Sequence, residues 1–277
     1  MQEGQSNMRR MRATRHLRDQ GMTLVEVIIV VAIMGVLIPV FAVVLIGSYR
    51  DSSYTNERAQ VTNQVLQGLQ FMEDGVKAAN AYKVDMASPY TDAYGPHNLG
   101  TAGAEAWSYK GSSSTSRVLI ISSYATTQAS LGTGRLPVYR SDGTFNCTTQ
   151  KQYEPKLEFL TIFFVRNGTL YRRVLNDRVS PLCAGEVQSE QQSCPPEIAP
   201  GSLDASCQTR DEVMARNVVN FSVTYWQDTY VSQIDAYNSS DPTILDGADY
   251  ITVDLGMSTH NGQVTQSMTE RMTKINR

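Results

Sequence analysis

Twenty consecutive residues, 27–46, carry no charged side chain, and that run limits what the chain can fold into more than any other feature. Coiled into a helix at 1.5 Å per residue, they span about 30 Å, one hydrocarbon thickness of a bilayer. A secretory signal has an apolar core of roughly 7–15 residues and a small-residue cleavage site. This run is longer and has no Ala-x-Ala at its end. An uncleaved membrane anchor fits the length. It gives no reason for Gly21, Thr23 and Glu26, which place a carboxylate five residues past a glycine at the edge of the run. An ionised group at the bilayer centre costs about 2.5–3.5 kcal/mol, so a partner or a task is expected for it.

The sequence Gly21-Met22-Thr23-Leu24-Val25-Glu26 resembles the class III signal of type IV prepilins and type II secretion pseudopilins. The resemblance implies that a prepilin peptidase cuts between Gly21 and Met22 on the cytoplasmic side and methylates the new amine of Met22. Most of the family has phenylalanine where Met22 stands; methionine is also apolar and can be methylated. The resemblance further implies that the amino-terminal helix packs with other pilins or pseudopilins. Glu26 would then pair with the terminal amine of a neighbouring subunit. An intramolecular contact is equally open, because the Met22 amine would lie only about 6 Å along the helix axis from Glu26. Pro39 lacks the N–H that would bond the carbonyl of Gly35, and glycine is itself a poor helix former. This pair is read either as a tolerated kink or as a weak point where the helix opens on assembly, as glycine and proline do in the family.

Residues 1–21 form the expected leader. Arg9, Arg10, Arg12, Arg15 and Arg18 outweigh Glu3 and Asp19 for a formal +3. Basic residues beside a span stay cytoplasmic, which sets the amino terminus inside and residues 47–277 outside. Loss of the leader leaves 19 of the 24 basic and 25 of the 27 acidic residues, a formal −6. That balance gives no electrostatic footprint for nucleic acid over the whole surface and leaves open only a local basic patch. Cys147, Cys183, Cys194 and Cys207 all lie in the expected exterior part. An even count in an oxidising compartment reads as two disulfides. Three connectivities are open, of which Cys147–Cys183 with Cys194–Cys207 is preferred. Zinc is disfavoured, since no Cys-x-x-Cys pair occurs and the three histidines are scattered.

The helix is expected to continue beyond the span to about residue 84. Val61, Val65, Leu69, Met72 and Val76 recur at helical spacing and form one apolar stripe. Gly68 and Gly75 interrupt it, each at about 1 kcal/mol against alanine. Residues 85–116 are turn-rich. Strand-like runs follow at 117–122, 157–166, 169–175, 218–226 and 250–255, the middle two joined by Asn167-Gly168, a strong hairpin signal. The expected fold is α+β and pilin-like: a long amino-terminal helix, membrane-spanning in its first half, packed on an antiparallel sheet. The expected divisions are a cleaved leader at 1–21, a transmembrane or filament-core helix at 22–46, an amphipathic extension at 47–84 and a β-rich extracytoplasmic domain at 85–277. Residues 66–79, 163–172 and 215–225 resemble the corresponding segments of J-type pseudopilins and W-type minor pilins.

No motif for a nucleophile, a zinc hydrolase or a phosphate loop occurs. Neither an enzyme, a cofactor nor a metal site is therefore expected. Acidic stretches at 238–241 and 246–249, with Asp254, could offer oxygen ligands to calcium but do not fit the helix-loop-helix pattern. Two classes of function remain: a low-copy minor pilin or pseudopilin at a filament tip or in its initiation, and a membrane-anchored binding or sensing domain that never enters a filament. After cleavage, 256 residues would remain, large for a subunit repeated along a whole filament.

Overall fold

The computed structural model describes residues 23–95, 107–109, 117–127, 134–141, 143, 146–178, 180–183, 186–197, 207–227, 232–236, 241, 243–259, 262 and 264–275. The chain divides into two units, Met1–Ser53 and Tyr54–Arg277. One helix, α1 (Leu24–Ala78), begins in the first and ends in the second. The fold is α+β: one long amino-terminal helix and antiparallel sheets.

Within the first unit, α1 is apolar on all sides, and every described residue up to Ser53 is exposed. It is the one helix among the described residues long and apolar enough to cross a membrane. Within the second unit the helix becomes one-sided. Val61, Val65, Leu69, Met72 and Val76 are buried, as their spacing predicts. Gly68 joins them, and the two helical glycines have a packing reason. A Cβ on Gly68 would meet Leu255 at 3.0 Å, and one on Gly75 would meet Phe163 at 3.2 Å. Removing the side chain lets the helix backbone approach the strands at both points.

The strands form two antiparallel sheets rather than the single one expected. The first contains β1 (Ala81–Lys83), β2 (Leu119–Tyr124), β3 (Glu158–Arg166), β4 (Thr169–Asn176) and β7 (Glu212–Arg216), in the order β1-β2-β3-β4-β7. The second contains β8 (Val218–Gln227), β9 (Ser232–Ile234), β10 (Tyr250–Ser258) and β11 (Thr265–Thr273), in the order β11-β10-β8-β9. Between β4 and β7 lie two short parallel strands, β5 (Ser193–Cys194) and β6 (Thr209–Arg210). Asn167 and Gly168 both take positive φ, 50° and 69°, and close the β3–β4 hairpin between paired Arg166 and Thr169. That is the requirement of a two-residue hairpin turn. A second positive φ at a non-glycine residue, 58° at Asn217, lies between β7 and β8, where the chain passes from one sheet to the other.

Both sheets contribute to one core around the helix stripe, with Leu119, Ile121 and Phe163 from the first and Phe221, Val253 and Leu255 from the second. The opposite face of the first sheet buries a separate cluster around Trp107, Ile162 and Phe164. The helix stops at Ala78, six residues short of the expected end at Val84. Asn80 donates its backbone N–H to the Ser122 carbonyl and its side-chain amide to Glu158 at 2.6 Å. Ala81–Lys83 then pairs with β2, and Tyr82 is buried in the core. Strand pairing and burial of one tyrosine outweigh the local helical preference of an alanine-rich segment.

Candidate functional site

The start of α1 is built from two side chains one turn apart. Thr23 precedes the helix, and its hydroxyl accepts the backbone N–H of Glu26 at 3.3 Å. The Glu26 carboxylate returns the contact, accepting the Thr23 N–H at 2.9 Å and its hydroxyl at 3.1 Å. This is a capping box, in which Thr-x-x-Glu satisfies two backbone donors that a helix start would leave open. The Thr23-Leu24-Val25-Glu26 string carries the pattern openly in the sequence. Reading Glu26 only as a charge in need of a partner missed it. In this chain one carboxylate oxygen is engaged and the second accepts nothing from a described residue. The residue therefore holds the helix start and still has capacity for an incoming donor.

Gly21 and Met22, the residues of the expected cleavage, lie outside the described residues. Gly35 and Pro39 sit inside α1, which continues through both. A Cβ on Gly35 would meet nothing within 4 Å. Its missing side chain thus serves no packing within the described chain, in contrast to Gly68 and Gly75. The structure brings Glu26, Gly35 and Pro39 together only as members of one helix.

The cysteines stand far from that helix start in sequence and form two pairs at disulfide distance. Cys147 and Cys183 are 5.4 Å apart at Cα, and Cys194 and Cys207 are 5.2 Å apart. Cys194 is part of β5, and the second pair closes the loop between β5 and β6. Among the described residues no group of three or more histidine, cysteine, aspartate or glutamate side chains could hold a metal ion. Of the acidic residues considered for calcium, Asp241 accepts the Thr243 N–H and hydroxyl, and Asp254 accepts the Asn220 amide.

A buried ionic cluster at the β5–β6 insertion has no local signature in the sequence. Arg173 of β4 is fully buried, with Nη1 2.7 Å from Asp92 and Nη2 2.6 Å from Asp211. Trp107 donates its indole N–H to the same Asp92 oxygen at 2.6 Å, and Ser193 donates to Asp211 at 2.8 Å. Burial alone would disfavour the guanidinium charge. The two carboxylates, Asp211 foremost, more than offset this and hold its pKa above the ordinary value. The Arg173 side chain also lies 5.3 Å from the Trp107 ring and 5.4 Å from Phe164. Every polar partner here is committed, so the cluster fastens a loop, a strand and the insertion to one another and leaves no group poised for chemistry.

Residues 17–38 match the family model of the prokaryotic N-terminal methylation motif. No curated protein matches the chain. The motif and the single apolar amino-terminal helix support a type IV pilin-like protein, of the pilin or pseudopilin kind, and fit a membrane-anchored one. Such a motif points to a structural subunit. It implies assembly with pilins or pseudopilins and processing by a prepilin peptidase in general terms.

Proposed function

We propose that this chain is a minor pilin or pseudopilin, a low-copy subunit at the tip or in the initiation of a type IV pilus or type II secretion pseudopilus. The observation that carries the reading is the methylation-motif match, which starts before α1 and ends within it. Within the family, J-type pseudopilins and W-type minor pilins fit best, through the 66–79, 163–172 and 215–225 segments. The size after cleavage, 256 residues, favours a few copies over a repeating shaft. On this reading residues 1–21 are a cytoplasmic leader, 22–46 sit in the membrane and then in the filament core, 47–84 extend that helix outward, and 85–277 lie outside the cytoplasmic membrane.

Mass spectrometry of the protein from cells with an active prepilin peptidase tests the proposal. The expected amino terminus is a methylated Met22. Gly21→Val, which puts a β-branched side chain where a small residue is required, should leave a species about 2 kDa heavier. That shift is the mass of a 21-residue leader in a chain of 277 residues and 30.7 kDa. An intact Met1 terminus in wild-type protein would overturn the reading, and the chain would then be a plain membrane-anchored binding domain.

A further inference from the structure

The two cysteine pairs sit in unlike surroundings. Cys194 belongs to β5 and Cys207 lies two residues before β6, and both are fully buried. The packing around them is tight: Asp211 donates its N–H to the Cys194 carbonyl at 2.7 Å, and Ser193 bonds the Asp211 side chain of the Arg173 cluster. A dissolved thiol reaches either sulfur only after that packing opens. Cys147 is placed otherwise. It is half-buried, between exposed Asn146 and Thr148, while its partner Cys183 is buried. One end of this pair lies at the surface and the other inside.

The chain on either side of Cys147–Cys183 is also held differently. Cys183 donates its N–H to the Tyr139 carbonyl at 3.1 Å, and Ser141 donates to Pro181 at 2.8 Å, so the inner side keeps its place by backbone bonds. The loop that carries Cys147 is closed at its base, where Arg140 donates to Pro155 and Leu157 to Val138, each at 2.8 Å. Beyond that base the backbone bonds turn inward. Thr149 and Gln150 donate to the Asn146 carbonyl, Thr148 to the Asn146 side chain, and Tyr153 to Gln150. These bonds shape residues 146–153 without fixing them to the sheets. The link to Cys183 is the covalent tie that does so.

We propose that Cys147–Cys183 is an exchangeable disulfide, opened by an external dithiol of the thiol–disulfide oxidoreductase class, and that its opening frees residues 146–153 while both sheets stay folded. A thiolate of the dithiol attacks Sγ of Cys147, the surface end. The S–S bond breaks, and Cys183 leaves as a thiolate and takes a proton. The second thiol of the reagent then attacks the mixed disulfide and releases Cys147 as a thiol. The reagent ends as a disulfide, and two electrons have passed to the bridge. Such attack depends on access to the sulfur, which selects this pair over Cys194–Cys207. The assignment is independent of whether the chain enters a filament.

Timed reduction of the full chain by dithiothreitol in non-ionic detergent, followed by alkylation and mass mapping, tests it. Cys147 and Cys183 should be alkylated about tenfold sooner than Cys194 and Cys207. With glutathione as the reductant and alkylation as the quench, the glutathione adduct should sit on Cys147 and the alkyl group on Cys183. Amide hydrogen exchange in the partly reduced protein should quicken in residues 146–153 and stay unchanged in β3, β4 and β10. Cys147→Ser with Cys183→Ser should give the same exchange pattern without reductant. Labelling of all four cysteines together, or of Cys194 and Cys207 first, would overturn the proposal, as would a glutathione adduct on Cys183. So would faster exchange across β3 and β4, or free thiols at Cys147 and Cys183 before any reductant is added. These readouts use the wild-type protein and do not depend on the variant folding.

Discussion

The two parts of α1 use apolar residues in opposite ways. Up to Ser53 the apolar side chains cover the whole circumference and all are exposed: Leu37 is 44% and Val43 71% accessible. From Tyr54 onward the apolar side chains that matter are gathered on one face, and Leu69 is 1% accessible. Glycine follows the same division. Gly35 has nothing near it, while Gly68 and Gly75 sit against Leu255 and Phe163. A helix apolar all round needs its environment from outside the chain, in lipid or other helices. A helix with one stripe finds its environment in its own sheets. One continuous element therefore carries two sets of packing rules, and substitutions should separate them.

The largest effect is expected at a residue belonging wholly to the second set. Arg173→Ala strands Asp92 and Asp211 in a buried site and should destabilise the second unit by about 3–5 kcal/mol. Urea denaturation followed by tryptophan fluorescence measures it, since Trp107 packs on this cluster. A loss below 1 kcal/mol would show that water reaches the cluster. A direct comparison along the helix follows. Leu69→Ala should cost about 2–5 kcal/mol in the same assay, by lost burial and a residual cavity. Leu37→Ala should leave the midpoint unchanged. If both residues shift it equally, the distinction between the two parts of α1 fails.

How much of this was legible follows from which interactions are local. The stripe from Val61 to Val76 and the Asn167-Gly168 turn are visible in sequence because each is decided within one or two turns of chain. The capping box at Thr23 and Glu26 is equally local, and a charge-centred reading passed over it. Strand β11 was missed for a different reason. It is an edge strand, paired with β10 alone, and its apolar side chains are Met268 and Met272. Edge strands are kept polar against unwanted pairing, which removes the pattern by which strands are recognised. Helix termination at Ala78 depends on Ser122 and Glu158, and the Arg173 cluster joins Asp92, Arg173 and Asp211, residues distant in sequence. No window of sequence holds those partners together.

The cysteine pairs belong to the second unit and should stabilise it according to the chain they enclose. Cys147 and Cys183 are 36 residues apart, and Cys194 and Cys207 are 13 apart. Loop-closure entropy then assigns about 4 kcal/mol to the first and about 3 kcal/mol to the second. Cys147→Ser with Cys183→Ser should accordingly lower the denaturation midpoint more than the Cys194→Ser, Cys207→Ser pair. Cys194 and Cys207 are the more completely buried pair, so any reversal would mean that native packing of the β5–β6 insertion outweighs the unfolded-chain effect. Four alkylatable thiols in the native protein would remove both bridges.

The smallest effect on stability, and the one that best resolves the first part of α1, concerns Glu26. Its carboxylate serves the capping box, and under the proposed function it also offers charge to the amine of a neighbouring subunit. Glutamine at this position can keep a capping box, because its side-chain carbonyl still accepts the Thr23 N–H, but it carries no charge. Alanine loses both. Loss of the cap costs about 0.5–2 kcal/mol, confined to the helix start. Neither change should alter the second unit or the cysteine pairing. If capping is the whole role, Glu26→Gln enters the assembled complex as wild type does, and only Glu26→Ala falls short. If charge pairing between subunits is the role, both variants are recovered less well, and to the same degree. We expect the second outcome, because the second oxygen of Glu26 is left open by the box and an ionised group in a membrane segment is disfavoured without a counter-charge. Co-purification with the other pilins, at equal cellular amounts of wild type, Glu26→Gln and Glu26→Ala, decides between them.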